Sequence, residues 1–131
     1  MNSKLKAKLW KEFSLYIRLS NSDKDGYCNC ISCGERHYYK DIDAGHFISK
    51  NKGNCYYFSE NNVWPQCTRC NRFLHGNLLE YRRALVKKLG EQKTELLSKY
   101  DLVKYRDADF EILLGFYKIE NKKLKLDKSL T

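Results

Sequence analysis

Two Cys-x-x-Cys pairs are the residues of this chain whose types and spacing most clearly specify a chemistry. The first pair is Cys30 and Cys33, and the second pair is Cys67 and Cys70. Two such pairs supply the four thiolates of a tetrahedral zinc site. Four protein ligands leave no coordination position for a substrate, so a site of this kind is structural. The spacing therefore predicts one structural Zn²⁺ bound by two tight turns.

Two further cysteines, Cys28 and Cys55, lie outside these pairs. Cys28 precedes Cys30 by two residues, but the gap between Cys30 and Cys33 matches the gap in the second pair and favours those two as ligands. Cys55 has no partner at ligand spacing, and we interpret it as a small buried apolar side chain. No apolar export segment follows the charged N-terminus, so we expect metal binding in a reducing compartment rather than a disulfide framework.

The segment between the cysteine pairs contains side chains suited to the hydrolysis of a phosphodiester. His46 has an ordinary pKa near neutrality and could act as a general base. In an extended segment Asp43 and Gly45 project to the same side, so Asp43 could reach a cation beside His46 past a residue that has no side chain. A structural, hydrogen-bonded histidine is the alternative interpretation of His46, and the neighbouring ligand types favour catalysis.

Two potential metal ligands, Asn71 and His75, follow the second cysteine pair. Because they are four residues apart, they would share one face of a short helix. Each offers an oxygen or a nitrogen to the same cation as Asp43. Together these residues predict a catalytic Mg²⁺ or Mn²⁺ site, because a cation beside the phosphate assists its hydrolysis. For His75 alone, a structural role is an equally good interpretation.

The charge balance favours a polyanionic partner. The 131-residue chain contains 25 Lys and Arg against 16 Asp and Glu, which gives a net charge of +9. Such an excess indicates DNA before an acidic membrane surface, and charge that serves solubility alone is the alternative. The longest apolar stretch, residues 112–117, is too short to span a membrane. The candidate DNA contacts are six basic residues: Lys50, Lys52, Arg69, Arg72, Arg82 and Arg83.

The secondary structure that must position these side chains can also be predicted. It indicates a single domain of the α+β class over residues 1–131. Apolar residues recur at every fourth position from Leu5 to Ile17 and predict an N-terminal helix over 3–20. Residues 27–76 are rich in Gly, Asn, Tyr and Cys, and we expect short strands and loops there. Residues 77–131 predict a helical extension, with one helix capped by Asn77 and Glu80, one over 91–100 and one from about Asp107.

Several motifs together resemble one known family. Asn62 followed by Cys67-x-x-Cys70-Asn71 is similar to the zinc-containing HNH pattern, in which an Asn precedes a cysteine pair and a His or Asn follows it. From about residue 8 to 100 the chain is similar to the NinG/Rap family of phage recombination proteins. The matching runs are Trp10-Lys11-x-Phe13-Ser14-x-Tyr16-Ile17-Arg18, Gly26-Tyr27-Cys28-x-Cys30-x-x-Cys33-Gly34, Asp43-Ala44-Gly45-His46-Phe47, Glu60-x-Asn62-Val63-x-Pro65-Gln66-Cys67-x-x-Cys70-Asn71 and Gly76-Asn77-x-x-Glu80-Tyr81-Arg82.

The resemblance implies a zinc-clamped ββα-metal (HNH-like) core over residues 27–76, flanked by N- and C-terminal helices. It also implies an endonuclease that cleaves branched DNA, such as Holliday junctions and D-loops, during phage recombination in the cytoplasm of a bacterial host. His46 would be the base. Asn62 would hydrogen-bond across a hairpin and hold the His46 loop, and an ordinary turn Asn is the alternative. At Gly45 an Asp or His ligand normally precedes the base, so we expect Asp43 to replace it.

Two other functions stay open at this point. A non-catalytic zinc-ribbon protein that binds DNA would account for the basic charge and the cysteine pairs, but it would leave the group of Asp43, His46 and Asn71 unexplained. An HNH nicking or restriction-type nuclease that recognises a DNA sequence would use the same residues. Cleavage of a junction requires cuts in two strands, which makes a homodimer an expectation of the first interpretation.

Overall fold

Five α-helices and two small antiparallel sheets form the part of the chain that the computed structural model describes, residues 3–99 and 104–130. The mixed α+β class is therefore confirmed. The helices are α1 (Ser3–Ser20), α2 (Asn54–Tyr57), α3 (Leu78–Leu89), α4 (Glu91–Leu97) and α5 (Asp107–Asp127). The strands are β1 (Tyr27–Asn29), β2 (Arg36–Tyr38), β3 (Asp43–His46) and β4 (Val63–Gln66). Short 3₁₀ turns cover Tyr39–Asp41 and Lys50–Lys52, and a π-helical turn covers Arg69–Phe73.

Helix α1 packs against α5 and against the sheet of β3 and β4. Leu9, Phe13 and Ile17 of α1 are buried, as their spacing of four predicts. The ring of Phe13 lies 5.2 Å from the ring of Tyr117 on α5, measured between centroids. Full burial of a side chain of this size contributes on the order of 2 kcal/mol to stability. The predicted N-terminal helix is thus confirmed, and its apolar face fixes it over the strand that carries His46.

Strands β3 and β4 form an antiparallel hairpin between the two cysteine pairs. In its register Asp43 lies opposite Gln66, and His46 lies opposite Val63. The amide of Ile31, from the first cysteine turn, donates to the carbonyl of Pro65 on β4 over 2.8 Å. The hairpin is thereby attached to the turn that carries Cys30 and Cys33.

The two cysteine pairs occupy two different kinds of turn. The first pair lies in the connection between β1 and β2, where Gly34 has a φ of +78° that glycine adopts without strain. The second pair begins directly after β4 and continues into the π-helical turn Arg69–Phe73, which contains Cys70. Each turn therefore starts from a strand, which fixes where its thiols point.

The predicted capping box at the start of α3 is wrong. Asn77 has a left-handed backbone conformation, with a φ of +41°, and its side chain does not cap the helix. Instead its amide group donates to the Sγ of Cys70 over 3.4 Å. Glu80 pairs with Arg83 at 2.7 Å. The close return of the chain after the second cysteine turn brings Asn77 to the sulfur, and this contact replaces the cap.

The C-terminal helices differ in extent from their prediction. The helix predicted over 91–100 ends earlier, since α4 stops at Leu97 and the Ser98 hydroxyl donates to the carbonyl of Glu95 over 2.9 Å. Residue 100 lies outside the described residues. Helix α5 begins at Asp107, as predicted. Within residues 3–99 and 104–130, no helix combines the length and the apolar character needed to cross a membrane.

Candidate functional site

The four paired cysteines converge into one cluster. The Sγ atoms of Cys30, Cys33, Cys67 and Cys70 all lie within 4.8 Å of one another. The Sγ atoms of Cys33 and Cys67 are 3.8 Å apart. Four thiolates placed about 2.3 Å from a central ion would lie about 3.8 Å apart at the corners of a tetrahedron. The cluster thus fits a structural metal ion, and the convergence predicted from spacing is confirmed.

Two thiols of this cluster, those of Cys67 and Cys70, have a raised pKa. Burial raises the pKa of Cys67 to about 12, and the close thiols of its neighbours add to that effect. Burial also raises the pKa of Cys70. A bound divalent cation reverses this balance, because it stabilises every thiolate that coordinates it. The donor set is therefore suited to a metal ion.

The two remaining cysteines do not belong to the ligand group. Cys28 is buried against the cluster, but its sulfur is not among the converging atoms. Cys55 lies in α2 and is half-buried, so it is less buried than its interpretation as a small buried apolar side chain predicts. The short helix α2 leaves one side of this residue open to solvent.

A cleft of about 730 Å³ lies beside the metal cluster. Its walls come from α1, from β3 with the following turn, and from the π-helical turn. Four of the residues predicted to act in catalysis or to bind the catalytic metal line it, namely Asp43, His46, Asn71 and His75. The structure therefore brings together side chains that are separated by up to about thirty residues of sequence, in a cleft large enough for part of a nucleotide chain.

Asp43 lies at the centre of a small polar network in this cleft. The Asn71 side-chain amide donates to Asp43 Oδ2 over 3.1 Å. The Arg72 guanidinium donates from Nε to the same oxygen over 3.2 Å, and from Nη2 to Oδ1 over 3.4 Å. Arg72 is largely exposed, with 67% of its side-chain surface accessible, whereas Asp43 is 22% accessible. The exposed arginine can move away at low cost, because surface ion pairs contribute little free energy.

His46 is held in one tautomer by its surroundings. Its Nε2 lies 3.0 Å from the carbonyl oxygen of Tyr57. A carbonyl only accepts hydrogen bonds, so Nε2 carries the proton and Nδ1 keeps its lone pair. The Trp10 indole stacks on the imidazole with 5.1 Å between centroids and an angle of 23°. These contacts leave one defined nitrogen to accept a proton.

The electrostatic setting keeps His46 neutral. Burial is the largest cause and lowers the pKa of His46, and the positive charge of Lys50 lowers it further, while the hydrogen bond to Tyr57 acts in the opposite direction. An imidazole with a lowered pKa is unprotonated at neutral pH. The ring can therefore act as a base under those conditions.

His75 lines the cleft but not in the way that its spacing predicts. The π-helical turn ends at Phe73, and His75 has a left-handed backbone with a φ of +51°. It therefore does not share a helical face with Asn71, and that prediction is wrong. The cause is the reversal of the chain before α3, where the Gly76 amide donates back to the Cys70 carbonyl over 2.8 Å.

Asn62 is fully buried and bonds to the loop between β3 and β4. Its Oδ1 accepts from the amide of Ile48 over 2.8 Å, and its Nδ2 donates to the carbonyl of Ile48 over 2.9 Å. The same Nδ2 donates to the carbonyl of Tyr56 over 2.9 Å. These bonds fix the loop segment that presents the Tyr57 carbonyl to His46, which is the kind of contact expected of a positioning residue.

Glycine is required at position 45 for a different reason from the one expected, which was an open path from Asp43 to the cation. A Cβ at this position would collide with the Oε1 of Gln66, so the space beside Gly45 is filled. Gln66 is itself buried, and its Nε2 donates to Ser32 Oγ over 2.9 Å and to the Gly76 carbonyl over 2.6 Å. Gly45 therefore accommodates a glutamine of β4 that bonds to the first cysteine turn and to the segment before α3, and does not keep open a path for Asp43.

The six basic residues predicted to contact DNA are separated by the fold. Lys50 and Arg72 line the cleft, whereas the other four do not. Lys52 is exposed in the 3₁₀ turn beyond Lys50. Arg69 bonds to Cys33, which raises the pKa of its guanidinium. Arg82 pairs with Glu91 and Glu95 of α4 at 2.7 and 2.6 Å, and Arg83 pairs with Glu80.

Comparison with known proteins identifies the relatives of this chain. A family profile described as Bacteriophage Lambda NinG protein matches residues 2–127. The chain belongs to the NinG family. It is 28% identical over 108 residues to Protein ninG of Escherichia phage lambda, which covers 82% of this chain and 52% of that protein. It is 35% identical over 68 residues to Protein ninG of Salmonella phage P22, which covers 52% of this chain and 33% of that protein.

This NinG-family chain spans about half the length of the curated relatives it matches. The match to Protein ninG of Enterobacteria phage VT2-Sa, for example, covers 53% of that protein. No solved structure matches the chain.

Several residues of the site were missed by reasoning from sequence. Trp10 of α1 contacts His46, and the Tyr57 carbonyl orients it. Tyr81 of α3 is buried, and its hydroxyl donates to the Gly45 carbonyl over 2.6 Å. Trp10 belongs to a second helical stripe of α1, beside the apolar one, and that stripe was a detectable signal. The contact of the Tyr57 backbone carbonyl leaves no signal in the sequence, because every residue has such a carbonyl.

Proposed function

We propose that this NinG-family chain is a divalent-metal-dependent DNA endonuclease with a zinc-clamped ββα-metal (HNH-like) core. One observation carries the proposal: His46, with its Nδ1 lone pair free, lines the same cleft as the hydrogen-bonded pair of Asp43 and Asn71. A base beside a carboxylate and an amide is the group that metal-assisted hydrolysis of a phosphodiester requires. The proposed reaction leaves 5′-phosphate and 3′-hydroxyl ends.

The residues present suit two different metal ions. Four thiolates select Zn²⁺ for the structural position, with Cys30, Cys33, Cys67 and Cys70 as its ligands. A carboxylate with an amide oxygen suits a harder ion, so Asp43 and Asn71 would hold Mg²⁺ or Mn²⁺, with His75 at the edge of the cleft as a further candidate ligand. When bound, this ion supplies positive charge to the transition state and to the departing oxygen. Arg72 would release Asp43 in exchange.

The protein residues carry the proton transfer. His46 accepts a proton from water at Nδ1, because Nε2 already donates to the Tyr57 carbonyl. Trp10 packs on one face of the ring, which keeps the imidazole from rotating away. Asn62 holds the backbone on either side of the loop and so positions the Tyr57 carbonyl. A fixed base orientation raises the rate because little reorganisation is then needed at the moment of reaction.

The proposed substrate is branched DNA, including Holliday junctions and D-loops, in phage recombination. Membership of a phage protein family supports this choice, together with the resemblance of the motifs to recombination proteins. The cleft contains four basic residues, Arg18, Lys40, Lys50 and Arg72, against the single carboxylate of Asp43, and this balance attracts phosphate. Because the relatives are phage proteins, we place the proposed activity in the cytoplasm of the bacterial host. A homodimer would supply the two active sites for paired cuts.

A panel of DNA substrates tests the proposal. Purified protein is incubated with Mg²⁺ or Mn²⁺ and with linear, flapped, looped and four-way DNA. We expect cleavage that His46→Ala abolishes and that the matched variant His37→Ala preserves, because His37 lies on β2, away from the cleft. DNA binding without metal-dependent cleavage in every case would instead support a non-catalytic zinc-ribbon binder. Cleavage set by sequence rather than by shape would support a nicking or restriction-type nuclease.

A further inference from the structure

Helix α1 presents a second stripe of side chains to the cleft. The residues Lys6, Trp10, Ser14 and Arg18 recur at every fourth position, beside the apolar stripe that packs on the core. Trp10, Ser14 and Arg18 line the cleft together with Asp43 and His46. This helix lies outside the proposed ββα-metal core, yet it forms one wall of the candidate site. The residue on this wall that is suited to bind an anion is Arg18.

The guanidinium of Arg18 is fixed by bonds to the backbone. Its Nε donates to the Ser14 carbonyl over 3.1 Å and lies 3.3 Å from Ser14 Oγ. Its Nη1 donates to the Tyr39 carbonyl over 2.8 Å. An arginine has five N–H donors, and these bonds use two of them. The other three have no protein partner within residues 3–99 and 104–130, so a planar fork of donors is held ready beside the cleft.

Arg18 also forms no salt bridge within residues 3–99 and 104–130. The side chain is half-buried, and the carboxylate in the same cleft, Asp43, is already bonded to Asn71 and Arg72. Burial lowers the pKa of Arg18, whereas the negative charge of Asp43 acts from a longer distance in the opposite direction. Because a partly desolvated cation without a direct counter-ion keeps part of its desolvation cost, an anion that binds to it in the cleft recovers that free energy.

We propose that Arg18 is a phosphate ligand of the cleft, which binds the DNA backbone with its free N–H groups in the same cleft as His46. The proposal rests on the proposed function for the identity of the anion, a DNA phosphodiester. The guanidinium would bind two phosphate oxygens through two parallel N–H groups, a geometry that lysine cannot reproduce. Helix α1 is thereby assigned a binding role in addition to its role in the core.

The test compares DNA affinity in three variants. Binding of a labelled four-way junction and of a linear duplex is measured without added Mg²⁺ or Mn²⁺ at several salt concentrations with Arg18→Gln, Arg18→Lys and Lys8→Gln. Lys8 is exposed on the same helix outside the cleft, so its variant controls for loss of one charge. We expect Arg18→Gln to weaken binding by about tenfold and to lower the salt slope by about one. We expect the DNA affinity of Arg18→Lys to lie between those of wild type and Arg18→Gln, and the affinity of Lys8→Gln to lie near that of wild type.

A second measurement separates phosphate binding from structural damage. Single methylphosphonates are placed along one strand of the junction, and each removes the charge of one phosphate. At the position that Arg18 contacts, the methylphosphonate should weaken binding to wild type but have little further effect on binding to Arg18→Gln, because both changes remove the same interaction. Retained metal content and unchanged circular dichroism confirm that Arg18→Gln is folded. Additive effects at every position would overturn the proposal.

The outcomes distinguish this inference from the proposed activity. If wild type cleaves no DNA but Arg18→Gln still weakens binding well beyond Lys8→Gln, the endonuclease proposal fails and the phosphate site stands. If wild type cleaves DNA, and Arg18→Gln matches Lys8→Gln both in affinity and in kcat/KM, the assignment of Arg18 fails alone.

Discussion

The side-chain amide of Asn71 donates to Asp43 Oδ2 over 3.1 Å, although 28 residues separate the two in sequence. Asn71 directly follows Cys70, so its position depends on the cysteine cluster. Asp43 begins β3, the strand that ends at His46. The hydrogen bond therefore connects the candidate structural metal site to the candidate catalytic group. Loss of the metal should disturb both.

We expect the protein to contain about one zinc ion per chain. Cys67→Ser or Cys70→Ser should release it and unfold the middle of the chain, because metal binding and folding are coupled in small sites of this kind. Native mass spectrometry gives the metal content, and circular dichroism follows the folding. Cys28→Ser and Cys55→Ser are the controls and should keep the metal, because neither sulfur belongs to the cluster. Disulfides without zinc would contradict the assignment.

The pH dependence of cleavage should report the environment of His46. Protonation removes the Nδ1 lone pair, so kcat/KM should fall as the pH drops through the pKa of His46. Burial lowers that pKa, so the fall should occur below the ordinary value of about 6.5. Lys50→Gln should shift the acidic limb upward, because the Lys50 charge lowers the pKa. Lys52→Gln, which loses the same charge outside the cleft, should leave the limb unmoved, and equal shifts in both would count against this account.

Asp43→Ala should lower cleavage by about 100-fold or more, because a metal ligand is lost. High concentrations of Mn²⁺ should restore part of the activity by mass action, while DNA affinity stays close to that of wild type. Asp41→Ala is a matched control, since Asp41 is exposed two residues away and does not line the cleft. A similar loss of cleavage in both variants, or the absence of loss in Asp43→Ala, would remove Asp43 from the metal site.

Gly45→Ala should destabilise the protein by about 1–3 kcal/mol, because its new methyl group must displace the buried Gln66 side chain. Urea unfolding measures the change. The same substitution should cost less in a Gln66→Ala background, which makes the two effects non-additive. Gly115→Ala on α5 is the control. No heavy atom lies within 4 Å of its added methyl, so it should be neutral or stabilise the helix by up to about 1 kcal/mol.

The cysteine cluster and the two long helices were predictable because local spacing determines them. Each Cys-x-x-Cys spacing places two sulfurs on one tight turn, and a zinc site needs two such turns. The apolar period of Leu9, Phe13 and Ile17 specifies both a helix and its buried face. These features depend on residues within a few positions of one another. The predicted presence of Asp43, His46, Asn71 and His75 in one region followed from their positions between and beside the cysteine turns.

The composition of the cleft was decided by tertiary packing. Apolar burial between α1, α5 and the hairpin stacks Trp10 on His46 and places Arg18 in the same cleft. Helix α4 occupies the guanidinium of Arg82 with Glu91 and Glu95, so that this charge is not free to bind a phosphate. No local pattern contains these contacts, because each joins residues from distant elements. The sequence by itself determined which residues could bind a metal. The packing of the elements determined which charges stay available to a phosphate.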